Sequence, residues 1–191
     1  MTKTRMEAFS DGVIAIILTI MVLGFKVPLS SDWSKLLPLV PAFLSYVLSF
    51  IFIGIYWNNH HHLLQAAKRV NGKVLWANLH LLFWLTLIPF VTLYMGANHL
   101  DSFPVALYGV VMLGSSIAYY ILTKSLLHLH GRGSVIGSAL GSARKERISV
   151  VLYIVAVFLA MQIPLAAIGV YIVVALMWLV PDQRIERSLE D

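Results

Sequence analysis

The chain has 191 residues, 59% of them hydrophobic and 12% charged, with a formal net charge of +5 and no cysteine. Soluble domains carry roughly 45–50% apolar and about 25% charged residues, so this composition excludes a soluble globular protein and marks a polytopic α-helical membrane protein. Disulfide and thiol chemistry are excluded as well. The positive charge reads as basic cytoplasmic loops rather than as a nucleic-acid surface.

About 20 apolar residues span a bilayer as helix, and the chain divides into six such helices within a single transmembrane domain, residues 1–191. Helix 1 is expected over about 4–25, ended by Gly24 and Pro28. Nothing at its start resembles a cleaved signal peptide, because Glu7 and Asp11 lead the apolar run and no small-residue cleavage site follows. Residues 29–35 form a polar loop. Helix 2 is expected over about 38–57, with prolines tolerated in its first turn. The stretch NNHHHLLQAAKRVNGK then reads as a polar, basic connection. Helix 3 covers about 74–94, with a kink at Pro89, and helix 4 about 104–127. A Gly- and Ser-rich basic break follows. Residues 148–180 are one apolar run of 33 residues, which as a straight helix would be roughly 50 Å long, against a hydrocarbon core of about 30 Å. Gln162-Ile163-Pro164 in its middle suggests a hairpin of helices 5 (about 143–161) and 6 (about 164–180), stopped by Pro181. One kinked, tilted helix is the alternative.

Charge favours six spans over five. With six, the amino terminus, the 2–3 and 4–5 connections and the tail share one side, and that side holds all of the 14 Lys and Arg except Lys26 and Lys35. The positive-inside rule then places both termini in the cytoplasm of a multi-pass cell-membrane protein. Five spans would move Arg184 and Arg187 outside.

Helix 1 carries the most informative pattern. At 100° per residue, Arg5, Phe9, Gly12, Ile16, Thr19, Ile20 and Leu23 fall within about 60° of Ile16, whereas Ser10 and Asp11 lie about 120° and 140° away and Glu7 is opposite. The helix thus has an apolar face with one hydroxyl, and a polar face at one end. Both faces could simply pack on other helices, but ionisable groups in a span are expensive and mark function more often than elsewhere. The polar face is expected to hydrogen-bond inside the bundle, leaving the Ile16 face free. Its expected packing partners are His80, Trp84 one turn further along helix 3, and Asn59; a hydrogen-bonded core histidine is the plainer reading of His80. Consecutive His60, His61 and His62 point about 100° apart, so they suit a structural cap with Asn58 and Asn59 better than a metal site. No cofactor is implied. There is no nucleophile elbow, HExxH pair or phosphate loop, so the chain does not read as an enzyme. Outside helix 1 no acid sits within a span, and no internal duplication supports alternating access. A passive pore or a structural membrane protein is favoured, with a secondary transporter still open.

The residues Arg5-x-x-x-Phe9-Ser10-Asp11 reproduce the R-x-x-x-F-S-D signature of the transmembrane protein 175 family, the endolysosomal potassium channels and their prokaryotic relatives. The continuation GVIAIILTIMVL, the YWNNHHHL segment and the N-x-x-x-L-F-W…P run of helix 3 also resemble its prokaryotic members, most strongly over residues 4–95. The resemblance implies one six-helix repeat per subunit and a homotetramer whose first helices line a central pore for potassium and other monovalent cations. It implies an apolar constriction instead of the TVGYG carbonyl filter of other potassium channels, and modest selectivity for potassium over sodium. The matching constriction positions are Ile16, Ile20 and Leu23, on the face identified above. Thr19 matches a position where some prokaryotic members carry a polar ring that helps coordinate ions. Arg5, Phe9, Ser10 and Asp11 would hold the inner end of helix 1 as structural or gating residues.

Overall fold

A computed structural model describes residues 2–29, 31–131, 134, 137 and 144–179, and all of their regular structure is helical. Helix α1 spans Lys3–Leu23, and the side chain of its N-cap Thr2 accepts from the Arg5 N–H at 3.4 Å. Asp32 caps a 3-10 segment, Trp33–Leu39, by accepting from the Ser34 N–H at 2.9 Å. That bond holds the Asp32 carboxyl below its ordinary range. The segment runs directly into α2, Val40–Gln65, with Pro41 in the first turn, where a missing N–H is harmless.

Helix α2 continues two turns beyond the expected end at Trp57. His60, Leu63 and Leu64 are buried on one side of this extension. The three histidines are therefore helical residues and not a cap, and the helix continues through them because its inner face buries Leu63 and Leu64 and gives His60 a partner on the next helix. Asn71 then caps α3, Gly72–Thr86, through its side-chain oxygen and the Val74 N–H at 3.0 Å. The third rod breaks where the sequence predicts a kink. Pro89 has no N–H to donate, the Leu87 N–H turns to the Trp84 and Leu85 carbonyls, and α4 restarts at Ile88–Ala97. A tight turn with His99 and Leu100 at positive φ leads to α5, Ser102–His130. Helices α6, Arg144–Ala160, and α7, Pro164–Leu179, resolve the long apolar run as a hairpin turning at Met161–Ile163. The expected helix stop at Pro181, the basic tail with Arg184 and Arg187, the start of helix 5 at Ala143 and the loop residue Arg132 lie outside the described residues.

Among the described residues four stretches are long and apolar enough to cross a membrane: Lys3–Leu23, Trp33–Gln65, Gly72–Ala97 and Ser102–His130. Pro164–Leu179 is apolar but shorter. The chain is an all-α, multi-pass membrane protein. Helix α5 is the centre of the bundle and packs on α3, α4, α6 and α7, whereas α1 packs on α2, α3 and α4. Small residues permit the closest approach: α2 and α4 meet at Ala42 and Gly96, where an added Cβ would overlap the Ala42 backbone. Buried hydroxyls link the helices across the core. Ser49 of α2 is hydrogen-bonded to Thr92 of α4 at 2.6 Å and to Tyr108 of α5 at 3.1 Å. The Tyr171 hydroxyl of α7 donates to the Val105 carbonyl of α5 at 3.0 Å, in space left by Gly109. Trp178 of α7 donates to Ser149 of α6 at 2.8 Å. This arrangement leaves α1 as a rod fixed along one side only.

Candidate functional site

The two sides of α1 differ sharply in burial. Met6, Ser10, Ile14, Ile17 and Met21 form the packed side, at spacings of four, four, three and four that return to one face of a helix. On the other side Phe9 is 49% exposed, Ile16 57%, Ile20 48% and Leu23 80%, and Gly12 and Thr19 lie on that face too. In this register Ile16, Ile20 and Leu23 form an apolar ridge that none of the described residues covers. The Thr19 hydroxyl donates to its own helix, to the Ile16 carbonyl at 2.9 Å. Its proton is thereby committed and its oxygen remains an acceptor.

The packed side is anchored at its amino-terminal end by a chain of polar contacts. The Ser10 hydroxyl donates to the Met6 carbonyl at 2.8 Å, the Asn78 amide nitrogen donates to the Ser10 oxygen at 2.9 Å, and the Asn78 amide oxygen meets His60 Nε2 at 2.7 Å. Ser10, Asn78 and His60 are each at most 1% exposed. The direction of the chain is fixed by counting protons. Ser10 gives its only proton to Met6, so it must accept from Asn78. That turns the amide oxygen of Asn78 toward His60, so Nε2 carries a proton. A second contact lies nearer solvent, where Trp57 Nε1 of α2 donates to the Asp11 carboxylate at 3.0 Å. Three helices are thus joined at one end of α1, through α2 (Trp57, His60) and α3 (Asn78). The opposite end of α1 has no comparable polar anchor among the described residues.

The signature residues divide accordingly. Ser10 and Asp11 enter this network. Phe9 lies over α3, where it shares a shallow groove with Leu75, Trp76 and Leu79. Arg5 is exposed at the mouth of the helix, and Lys3 pairs with Glu7 at 3.6 Å and donates to the Gln65 carbonyl at the end of α2.

The expected partners of the polar face need correction. His80 is exposed and accepts from Trp84 on its own helix at 3.0 Å, and the Trp84 ring lies against Gly114 of α5, away from α1. Asn59 donates to the Ile55 carbonyl at 2.8 Å, and its own carbonyl accepts from Tyr119 of α5 at 3.3 Å. Asn78, His60 and Trp57 take the role given to them. Asn78 heads the N-x-x-x-L-F-W run quoted from the sequence but was given no role there. A lone amide within an apolar span was its available signal, since such a group must find a buried partner. The three histidines do diverge: His60 faces the core, while His61 stacks on Trp57 with ring centroids 6.0 Å apart. Among the described residues no cluster of His, Asp or Glu is arranged to hold a metal ion.

Comparison with known proteins agrees with this fold. The profile of the family described as endosomal/lysosomal potassium channel TMEM175 matches residues 5–89, a stretch that runs from the third residue of α1 through its anchor. A potassium channel of Chryseobacterium sp. (strain P1-3) is 53% identical over 191 residues, covering 100% of both chains. A potassium channel of Streptomyces collinus is 34% identical over 126 residues, covering 62% of this chain and 61% of that one. The crystal structure of a lysosomal potassium-selective channel TMEM175 homolog from Chamaesiphon minutus superposes with a TM-score of 0.78 at 26% identity, covering 94% of this chain and 97% of that one. With a relative this similar along its whole length, the chain belongs to the TMEM175 family.

Proposed function

We propose that the protein is a potassium-permeable channel of the cell membrane, with both termini cytoplasmic, formed by four copies that place the exposed ridge of α1 around a central pore. The observation that carries this reading is the ridge itself: Phe9, Ile16, Ile20 and Leu23 are exposed on a helix whose other side is locked into the bundle. The relatives named as potassium channels supply the ion. Orientation rests on charge. Lys3, Arg5, Lys68, Arg69, Lys73 and Lys124 lie at one end of the bundle, and Lys26 and Lys35 at the other.

The gating mechanism follows from solvation. Rings of Ile16 and Ile20 narrow enough to expel water impose a barrier, because an ion crossing them sheds hydration without receiving ligands in return. A small rotation of α1 moves the branched side chains aside and rewets the ring. The polar anchor at the amino-terminal end acts as the pivot and sets the helix orientation. Thr19 lies between the two isoleucines with its oxygen available, so four copies would give a partial ring of oxygens. Selectivity for potassium over sodium is accordingly modest, since apolar walls provide no full cage.

The test is potassium flux down a gradient in liposomes holding the purified protein, read with a voltage-sensitive dye. Passive, non-saturating flux that rises in Ile20→Asn or Ile16→Asn is the expected result. Unchanged flux in both variants would remove these positions from the constriction, and saturable flux would favour a transporter.

A further inference from the structure

A groove of about 310 Å³ lies where the start of α3 meets the last turns of α5, lined by Asn71, Lys73, Tyr120, Ile121, Lys124 and His128. Among the described residues no acidic side chain lines it. Lys124 is held over the Tyr120 ring, its Nζ 5.3 Å from the centroid. The neighbouring loop adds charge. His130 of α5 accepts from the backbone N–H groups of both Lys68 and Arg69, at 3.2 and 3.3 Å, which fixes this basic pair beside the same helix end.

The groove continues into an apolar track. Phe103, Val110 and Ile117 recur every seventh residue on α5 and return to nearly one face, and the next member of the series is Lys124. Phe103 is 59% exposed, and Val110, Ile117 and Ile121 are each 39% exposed. From Val110 to Ile121 the track runs roughly 16 Å at about 1.5 Å per residue, close to half of a hydrocarbon core of about 30 Å. A cationic cup at one end of the bundle, joined to an exposed apolar track one leaflet long, matches a phospholipid in both chemistry and length.

We infer that this groove binds an anionic phospholipid, with the headgroup phosphate between Lys73 and Lys124 and one acyl chain along Ile121, Ile117 and Val110. Basic pockets between helices at the membrane surface hold anionic headgroups in this way. The site requires that the chain be embedded in a bilayer and is independent of ion conduction.

The experiment is native mass spectrometry of the intact protein in detergent, with phosphatidylglycerol and phosphatidylcholine titrated in competition. Wild type should retain phosphatidylglycerol preferentially. Lys73→Gln with Lys124→Gln should weaken that retention roughly 30-fold, and Lys73→Gln alone roughly fivefold. Lys26→Gln with Lys35→Gln, at the other end, should leave it unchanged. If the double variant melts early, the single Lys73→Gln variant carries the test. Persistence of the preference in the variants would overturn the assignment. So would full displacement of the lipid by inorganic phosphate, which would make this a free-anion site. A change in oligomeric mass accompanying the loss would overturn it too, since the groove would then be a contact between subunits.

Discussion

Replacing Asn78 by leucine keeps the number and branching of side-chain heavy atoms and removes both of its hydrogen bonds. The two partners do not suffer equally. Ser10 still donates to the Met6 carbonyl at 2.8 Å and loses only an incoming bond. The protonated Nε2 of His60, 1% exposed, loses its partner at 2.7 Å. A buried donor left unsatisfied costs about 1–3 kcal/mol in soluble proteins, whereas interhelical hydrogen bonds in membranes average about 0.6 kcal/mol with a maximum near 1.7. The expected loss is therefore on the order of 1–2 kcal/mol, most of it at His60. A double-mutant cycle of Asn78→Leu with His60→Phe should return about 1 kcal/mol of coupling. The coupling between Asn78→Leu and Ser10→Ala should be smaller. Stability is read by reversible unfolding in mixed micelles, followed by tryptophan fluorescence. A coupling indistinguishable from zero between positions 60 and 78, with Asn78→Leu as stable as wild type, would refute the view that this chain of contacts anchors α1.

Trp57→Phe removes the bond to Asp11, but both groups are exposed, so its loss should stay below about 1 kcal/mol; Asp11→Asn retains an acceptor and should change melting still less. Gly96→Leu forces a side chain into the Ala42 backbone and should lower stability by about 1–3 kcal/mol or more in the same unfolding assay. A Gly96→Leu protein melting like wild type would show that α2 and α4 separate easily.

Much of this architecture was legible because it rests on length and period. An apolar run of 33 residues cannot cross once as a straight helix, and it folds as the α6–α7 hairpin. Pro89 marks the break between α3 and α4 because the missing N–H acts locally. The ridge of α1 followed from a helical wheel, which needs no knowledge of neighbouring helices. What failed depended on pairing between helices. His80 and Asn78 are two residues apart and so about 160° apart around α3; a choice of partner wrong by two positions lands on the exposed side of the helix instead of the side facing α1. The run of three histidines looked like a helix end because polarity and chain termination resemble each other in sequence. The buried contact from His60 to Asn78 separates the two readings, and one helix considered alone does not contain it.

The absence of cysteine makes the chain a clean background for the most direct test of the pore. Single variants Ile16→Cys, Ile20→Cys and Leu23→Cys, with Ile14→Cys and Ile17→Cys as buried controls, would be reconstituted and treated with a water-soluble thiol reagent during potassium flux. Block at the three ridge positions, with no effect at the two controls, is the predicted result. Equal insensitivity at positions 16, 20 and 23 in a conducting protein would contradict a pore lined by α1.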